Sequence, residues 1–144
     1  MTHTDKGHFA RKHPADRKVN PEIVNAAKSQ VSEGTISCAE AFSMASKLNV
    51  SPEEVGFTLD FLEIPIIKCQ LGLHGYKPTR KIVEPLEKVS TELGSMIREM
   101  LVNGRLPCAS AWHIAERFGL RKMEVSSACE ALKIKISSCQ LGTF

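Results

Sequence analysis

The chain has 144 residues and a mass of 15.9 kDa, with 42% hydrophobic and 24% charged residues and a formal net charge of +3. Such a length holds one ordinary domain or two very small ones, and such a composition is that of a folding chain, which excludes a large multidomain enzyme, wholesale disorder and a coiled-coil rod. No run approaches the ~18 apolar residues of a membrane span, and the opening Met1-Thr2-His3-Thr4-Asp5-Lys6 is too polar for a secretory signal, so the expectation is a cytoplasmic protein with no membrane partner.

The charge is unevenly placed. Residues 1–20 carry Lys6, Arg11, Lys12, Arg17 and Lys18 against Asp5 and Asp16, which accounts for the whole excess of +3. Residues 21–144 carry 14 basic and 14 acidic side chains and are neutral as a body. The first expected element is therefore a flexible basic arm over residues 1–20, which also holds His3, His8 and His13.

Shifting the chain by 70 residues against itself aligns 34–72 with 104–142 without a gap, and 14 of these 39 positions are identical. The matches include Gly34/Gly104, Cys38/Cys108, Ala41/Ala111, Glu54/Glu124, Val55/Val125 and Leu62/Leu132. They end in two copies of one tetrapeptide, Cys69-Gln70-Leu71-Gly72 and Cys139-Gln140-Leu141-Gly142. Two copies are fewer than a solenoid needs, which points to a pair of similar small domains. The expected domains are a first repeat at 21–76, a linker or wing at 77–84 and a second repeat at 85–144.

Each repeat reads alike. The four-residue spacing of Ile23, Ala27 and Val31 predicts a helix over 21–33, and Leu86, Val89, Leu93, Ile97 and Leu101 predict one over 85–103, with Pro at the start and Gly34 or Gly104 as the stop. Short extended pieces follow at 35–37 and 105–107. Ala39, Phe42, Ala45 and Leu48, matched by Ala109, Trp112, Ala115 and Phe118, predict a second helix. A turn at 49–52 or 119–122 leads into a third helix ending near Leu62 or Leu132, and Ser51-Pro52-Glu53-Glu54 has the cap, proline and acidic first turn of a helix start. A β-branched strand closes each copy, at 64–71 and 134–141. The fold class is mostly α with short strands (α+β).

The stretches Ile36–Leu62 and Leu106–Leu132, with their small residues Ala41, Ala45, Ala111 and Ala115 and the apolar turn residues Val50 and Leu120, resemble the core of the winged helix-turn-helix superfamily. That resemblance covers most of residues 21–144. It implies two pseudo-symmetric winged helices and DNA binding through the third helix and the wing, with the second helix as a brace. The third helix of the first repeat, with Glu53, Glu54, Asp60 and Glu63, would be repelled by phosphate and suits a protein partner instead. The matching helix of the second repeat offers Arg121, Lys122 and Ser126. Lys77, Arg80 and Lys81 lie in a wing-like segment at 73–81, and Arg11 and Lys12 of the arm could enter a minor groove. A solvated loop and a loose terminus are the plain alternatives for these last two segments.

The cysteines give a second line. Four consecutive identities in Cys-Gln-Leu-Gly exceed what packing of one strand face requires, since packing constrains alternate residues. Cys38, Cys69, Cys108 and Cys139 either pack as small buried hydrophobes, or ligate zinc or an iron–sulfur cluster, or form a reversible redox pair. The absence of any Cys-x-x-Cys knuckle counts against ligation, and Cys129, matched by Leu59, reads as core. There is no glycine-rich phosphate loop, no His-Glu-x-x-His and no nucleophile elbow, so an enzyme is the least supported class. The sequence thus suggests a DNA-binding transcriptional regulator with a cysteine-based metal or redox input. Its rival is a metal-binding, iron–sulfur or adaptor protein that uses the same fold for protein contacts without DNA. Oligomeric state is left open.

Overall fold

A computed structural model describes residues 13, 17–77 and 80–144. It is mixed α/β, with six helices and short strands among the described residues. The chain divides into two compact units, one of residues 1–69 together with 140–144 and one of residues 70–139.

In the first unit, α1 (Pro21–Gln30) starts where the Asn20 side chain accepts a hydrogen bond from the Glu22 N–H at 2.9 Å, with Pro21 in the first turn, and it buries Ile23 and Ala27 one turn apart. Ser32 and Thr35 then exchange two backbone hydrogen bonds across Glu33 and Gly34, both at positive φ. This is the geometry of a tight two-residue hairpin turn with primed dihedrals. The turn leads into β1 (Ile36–Ser37) and α2 (Cys38–Leu48), whose start is a capping box: Ser37 Oγ accepts from the Glu40 N–H while Glu40 Oε1 accepts from the Ser37 N–H. Asn49 at φ +54 ends α2, and Ser51 caps α3 (Pro52–Phe61). β2 (Ile66–Ile67) pairs with β1 in parallel, Ile36 opposite Ile66. Parallel neighbours need a long crossover, and α2 and α3 supply it.

The core of this unit is made by Ile23, Ala27, Ile36, Ala41, Val55 and Leu59, none more than 1% exposed, where α1, α2 and α3 pack together. α3 is buried through six consecutive residues, Val55 to Asp60, so it is the central helix. The segment 140–144 completes the unit by seating Leu141, 2% exposed, against Gly56 of α3. A Cβ on Gly56 would fall on the Leu141 carbonyl oxygen and 2.7 Å from its carbon, so only glycine admits this approach.

The second unit runs through α4 (Thr91–Glu99), capped by Ser90, then β3 (Leu106–Pro107), α5 (Cys108–Phe118), α6 (Lys122–Ala131) and β4 (Ile136–Ser137). β3 and β4 pair in parallel with Leu106 opposite Ile136. Positive-φ residues of the two units fall 70 apart: Glu33 and Asn103, Gly34 and Gly104, Asn49 and Gly119, Glu63 and Lys133, Lys68 and Ser138, Gly72 and Gly142.

Several expectations are corrected. The helix expected over 21–33 stops at Gln30, because Gly34 and Gly104 are the second central residues of tight turns and not helix stops. The helix expected over 85–103 occupies only 91–99: the Leu86 N–H donates to the Ser127 carbonyl and Ser90 is the cap, so residues 85–89 are a strap across α6. The strands expected over 64–71 and 134–141 are two residues long, since Lys68 and Ser138 turn the chain into left-handed backbone at φ +52. The described residues of the 73–81 segment form bends and no strand. The two units change at 69/70 and 139/140, inside the repeated tetrapeptides.

Candidate functional site

Two surfaces bear the expected functional residues. The first is the face of α3 formed by Glu54, Phe57 and Asp60, which helical geometry places three apart on one side. It is not bare. His13 Nε2 lies 2.7 Å from Asp60 Oδ2, and the His13 ring meets the Phe57 ring edge-on at 4.9 Å between centroids. Arg17 donates from Nη2 to Glu54 Oε1 at 2.8 Å and sets its guanidinium 3.9 Å from the Phe57 ring centroid. A charge-assisted hydrogen bond and a cation–π contact thus converge on one arginine. The arm expected as a loose terminus is therefore fixed at these two residues, and the face expected to dock a partner is covered by the chain itself. Arg11 and Lys12 lie outside the described residues.

From the sequence, His13 and Arg17 count only as members of the basic arm, with no role on α3. The signal was available. Lys18-Val19-Asn20 matches Lys88-Val89-Ser90 at the same offset of 70, and Asn20 and Ser90 cap matching helices. The repeat thus extends upstream into the arm. In the second unit the matching segment lies on α6: Lys81 pairs with Glu130, which matches Asp60, and the Leu86 N–H bonds the carbonyl of Ser127, which matches Phe57. This segment is tied further by the Ile82 and Val83 N–H groups, both donating to the Gly72 carbonyl, and by burial of Val83.

The second surface is the corner of α5 and α6, where Ala109, Trp112, His113, Glu116, Leu120, Arg121 and Lys122 line an open groove of about 490 Å³. Lys122 Nζ sits 4.5 Å from the Trp112 ring centroid. Arg121 is 86% exposed and donates from Nε to Glu124 Oε1 at 3.0 Å, a hydrogen bond that holds the Glu124 carboxyl below its ordinary pKa. Ser126 is not part of this surface: it is fully buried, and its hydroxyl has no hydrogen-bond partner among the described residues. The expected contact through Ser126 is thereby corrected. Lys81 is engaged by Glu130, while Lys77 and Arg80 are exposed. Burial lowers the pKa of His74, so this residue adds no charge at neutral pH to the segment expected as a cationic wing.

The cysteines are thiols. Cys38 and Cys108 open α2 and α5, and Cys69 and Cys139 follow β2 and β4 by two residues, just beyond the strands on which they were expected. Cys38, Cys69 and Cys108 are each 5–7% exposed and Cys139 is half-buried. Among the described residues no group of three or more His, Cys, Asp or Glu side chains is placed to hold a metal ion, so the expected zinc or iron–sulfur ligation has no ligand set there. Cys129 is 1% exposed, and burial, with the neighbouring Glu130 charge, pushes its thiol up to about 11, as suits an inert core residue. No described helix is long and apolar enough to cross a membrane. No protein family, curated protein or solved structure matches the chain.

Proposed function

We propose that the protein is a DNA-binding regulator built from two winged helix-turn-helix-like units, of which residues 70–139 carry the DNA contact. The observation that supports this is the division of charge. Residues 70–139 hold eleven Lys and Arg against seven Asp and Glu, whereas residues 21–69 with 140–144 hold three against seven. The neutral body thus divides into −4 and +4, and with the +3 of residues 1–20 the first unit sums to −1 against +4 for the second. The basic one suits a polyanion carrying one charge per ~1.7 Å of duplex.

Within that unit the contact is assigned to the α5–α6 corner. Arg117, Arg121 and Lys122 project from adjoining turns beside the exposed edge of the groove, and Lys77 and Arg80 add exposed cations. Arg121 can leave Glu124 for a phosphate, because that pair lies in solvent where an ion pair contributes little. Neutralising about four phosphates gives a slope of roughly −3.6 in log K against log salt, hence about a hundredfold weakening between roughly 50 and 200 mM salt. Titration of random duplex DNA across that range tests the reading. Arg121→Ala with Lys122→Ala should reduce the slope by about two. Binding that is absent, or indifferent to salt, would remove it.

One observation favours the adaptor reading in second place. Residues 21–69 are acidic and expose Phe61 to 50% next to Glu63, a pairing of apolar and acidic groups that suits a protein partner better than phosphate.

A further inference from the structure

The second unit carries another group of cations, at the end of α6 away from Arg121 and Lys122. Lys133 follows Leu132, the C-cap of α6, and Lys135 stands just before β4. Arg105 closes the tight turn before β3, where it exchanges two backbone hydrogen bonds with Val102. Leu106 lies opposite Ile136, and the Leu106 N–H donates to the Lys135 carbonyl at 3.0 Å, so Arg105 and Lys135 stand side by side where the two parallel strands begin. Leu106 is fully buried, and side chains alternate along a strand, which turns Arg105 outward. Arg105, Lys133 and Lys135 are all exposed.

The backbone does not require cations at these positions. In the first unit the matching residues are Thr35, Glu63 and Pro65. Thr35 exchanges the same two hydrogen bonds with Ser32, the Ile36 N–H donates to the Pro65 carbonyl at 3.2 Å, and Glu63 takes φ +57 against +59 for Lys133. The same turns and the same register thus form on two uncharged residues and a carboxylate. Like charges side by side on neighbouring strands repel. Among the described residues no ion pair relieves this repulsion, and Glu130, the acid nearest to Lys133 in the chain, is engaged by Lys81. Three clustered cations that local structure does not need suit an external polyanion.

We propose that Arg105, Lys133 and Lys135 form a second phosphate contact, which holds the backbone of duplex DNA together with the α5–α6 corner. This contact rests on the DNA reading above and extends it. α6 has ten residues and is about 15 Å long, so the two cation groups sit at the ends of a rod slightly longer than the ~12 Å width of a major groove. They can therefore reach phosphates on opposite sides of one groove. Contacts to phosphate fix register and orientation and carry no sequence information, so this group strengthens binding to any duplex alike.

The test titrates random-sequence duplex DNA into the full-length chain and into a variant with Arg105→Gln, Lys133→Gln and Lys135→Gln, between roughly 50 and 200 mM salt. Each phosphate contributes about −0.9 to the slope of log K against log salt, so about four at the corner and about three here give the parent a slope of roughly −6.3. The variant should return to the roughly −3.6 of the corner alone, and the parent should weaken about fortyfold more than the variant across that range. A control with Lys28→Gln, Lys47→Gln and Lys68→Gln removes the same charge from exposed positions of the first unit and should keep the parent's slope. Circular dichroism melting establishes that each variant is folded, and the three single glutamine variants, each making the slope shallower by about 0.9, serve if the triple one is not. A slope unchanged in the first variant, or reduced equally in the control, would overturn the second contact and leave the DNA reading in place. Absence of salt-sensitive binding by the parent would remove that reading, and this contact with it.

Discussion

The two units place their short strands and left-handed residues alike and diverge in what lies on them. Strand registers and left-handed positions recur at an offset of 70, yet residues 21–69 with 140–144 carry −4 and residues 70–139 carry +4. The matched pair Gly56 and Ser126 shows how far a single position can diverge. Gly56 lets the Leu141 carbonyl approach α3, while Ser126 keeps a Cβ and buries a hydroxyl without a partner among the described residues. A repeat fixes where turns and strands fall, because these depend on local backbone chemistry. It leaves charge and close packing free to change.

The largest expected effect breaks this comparison at that position. Gly56→Ala should destabilise the protein by roughly 2–4 kcal/mol in denaturant unfolding, because the new methyl meets backbone and not a side chain that can rotate away. Ser126→Ala should do the reverse, stabilising by about 1 kcal/mol as the buried hydroxyl is removed. If Gly56→Ala were neutral, Leu141 would not be seated against α3 as described.

A smaller effect compares the ion pairs on the two central helices. Arg17→Ala removes a cation–π contact and a half-exposed ion pair, and should cost about 1 kcal/mol. Lys81→Ala removes only a partly exposed ion pair from a segment also bonded through its backbone, and should cost about 0.5 kcal/mol or less. Equal losses would mean that the aromatic ring of Phe57 adds nothing to the Arg17 contact.

Much of the fold was legible from the chain alone, and the failures have physical causes. Helices α2, α3, α5 and α6 follow from apolar spacing and caps that act within a few residues, and the 70-residue repeat located their partners. Asn103-Gly104 is a strong hairpin signal, but the preceding helical periodicity competes with it, so the glycine reads as a helix stop. Leu86 and Val89 continue the apolar spacing of the next helix and nevertheless belong to a strap, because the Ser90 cap and the Leu86–Ser127 hydrogen bond are decided by tertiary contact. The tetrapeptide is explained by the same means: Leu71 and Leu141 are buried to within 2%, Gly72 and Gly142 take φ of +75 and +80, and the units change hands within it. The functional face was harder to read. A neutral sum over residues 21–144 hides −4 over 21–69 and +4 over 70–139, which the boundary at 69/70 resolves.

The smallest expected effect concerns the matched glutamates. Glu54 takes Arg17 from outside its helix, whereas Glu124 takes Arg121 from the turn that starts its own, accepting both the backbone N–H at 3.2 Å and Nε at 3.0 Å. These bonds favour the charged carboxylate, so the folded pKa of Glu124 lies below its ordinary value of 4.5. For a depressed acid the contribution is present above the unfolded value and is lost as pH falls through the folded one. An NMR titration of the Glu124 carboxyl should therefore give a midpoint below 4.5, and Arg121→Ala should move it upward. Because Glu124 is solvent-exposed, α6 should remain helical throughout, with only its first turn loosening in acid. A midpoint unchanged by Arg121→Ala would show that the guanidinium is already turned to solvent, which would favour its role at the α5–α6 surface over its role as a cap.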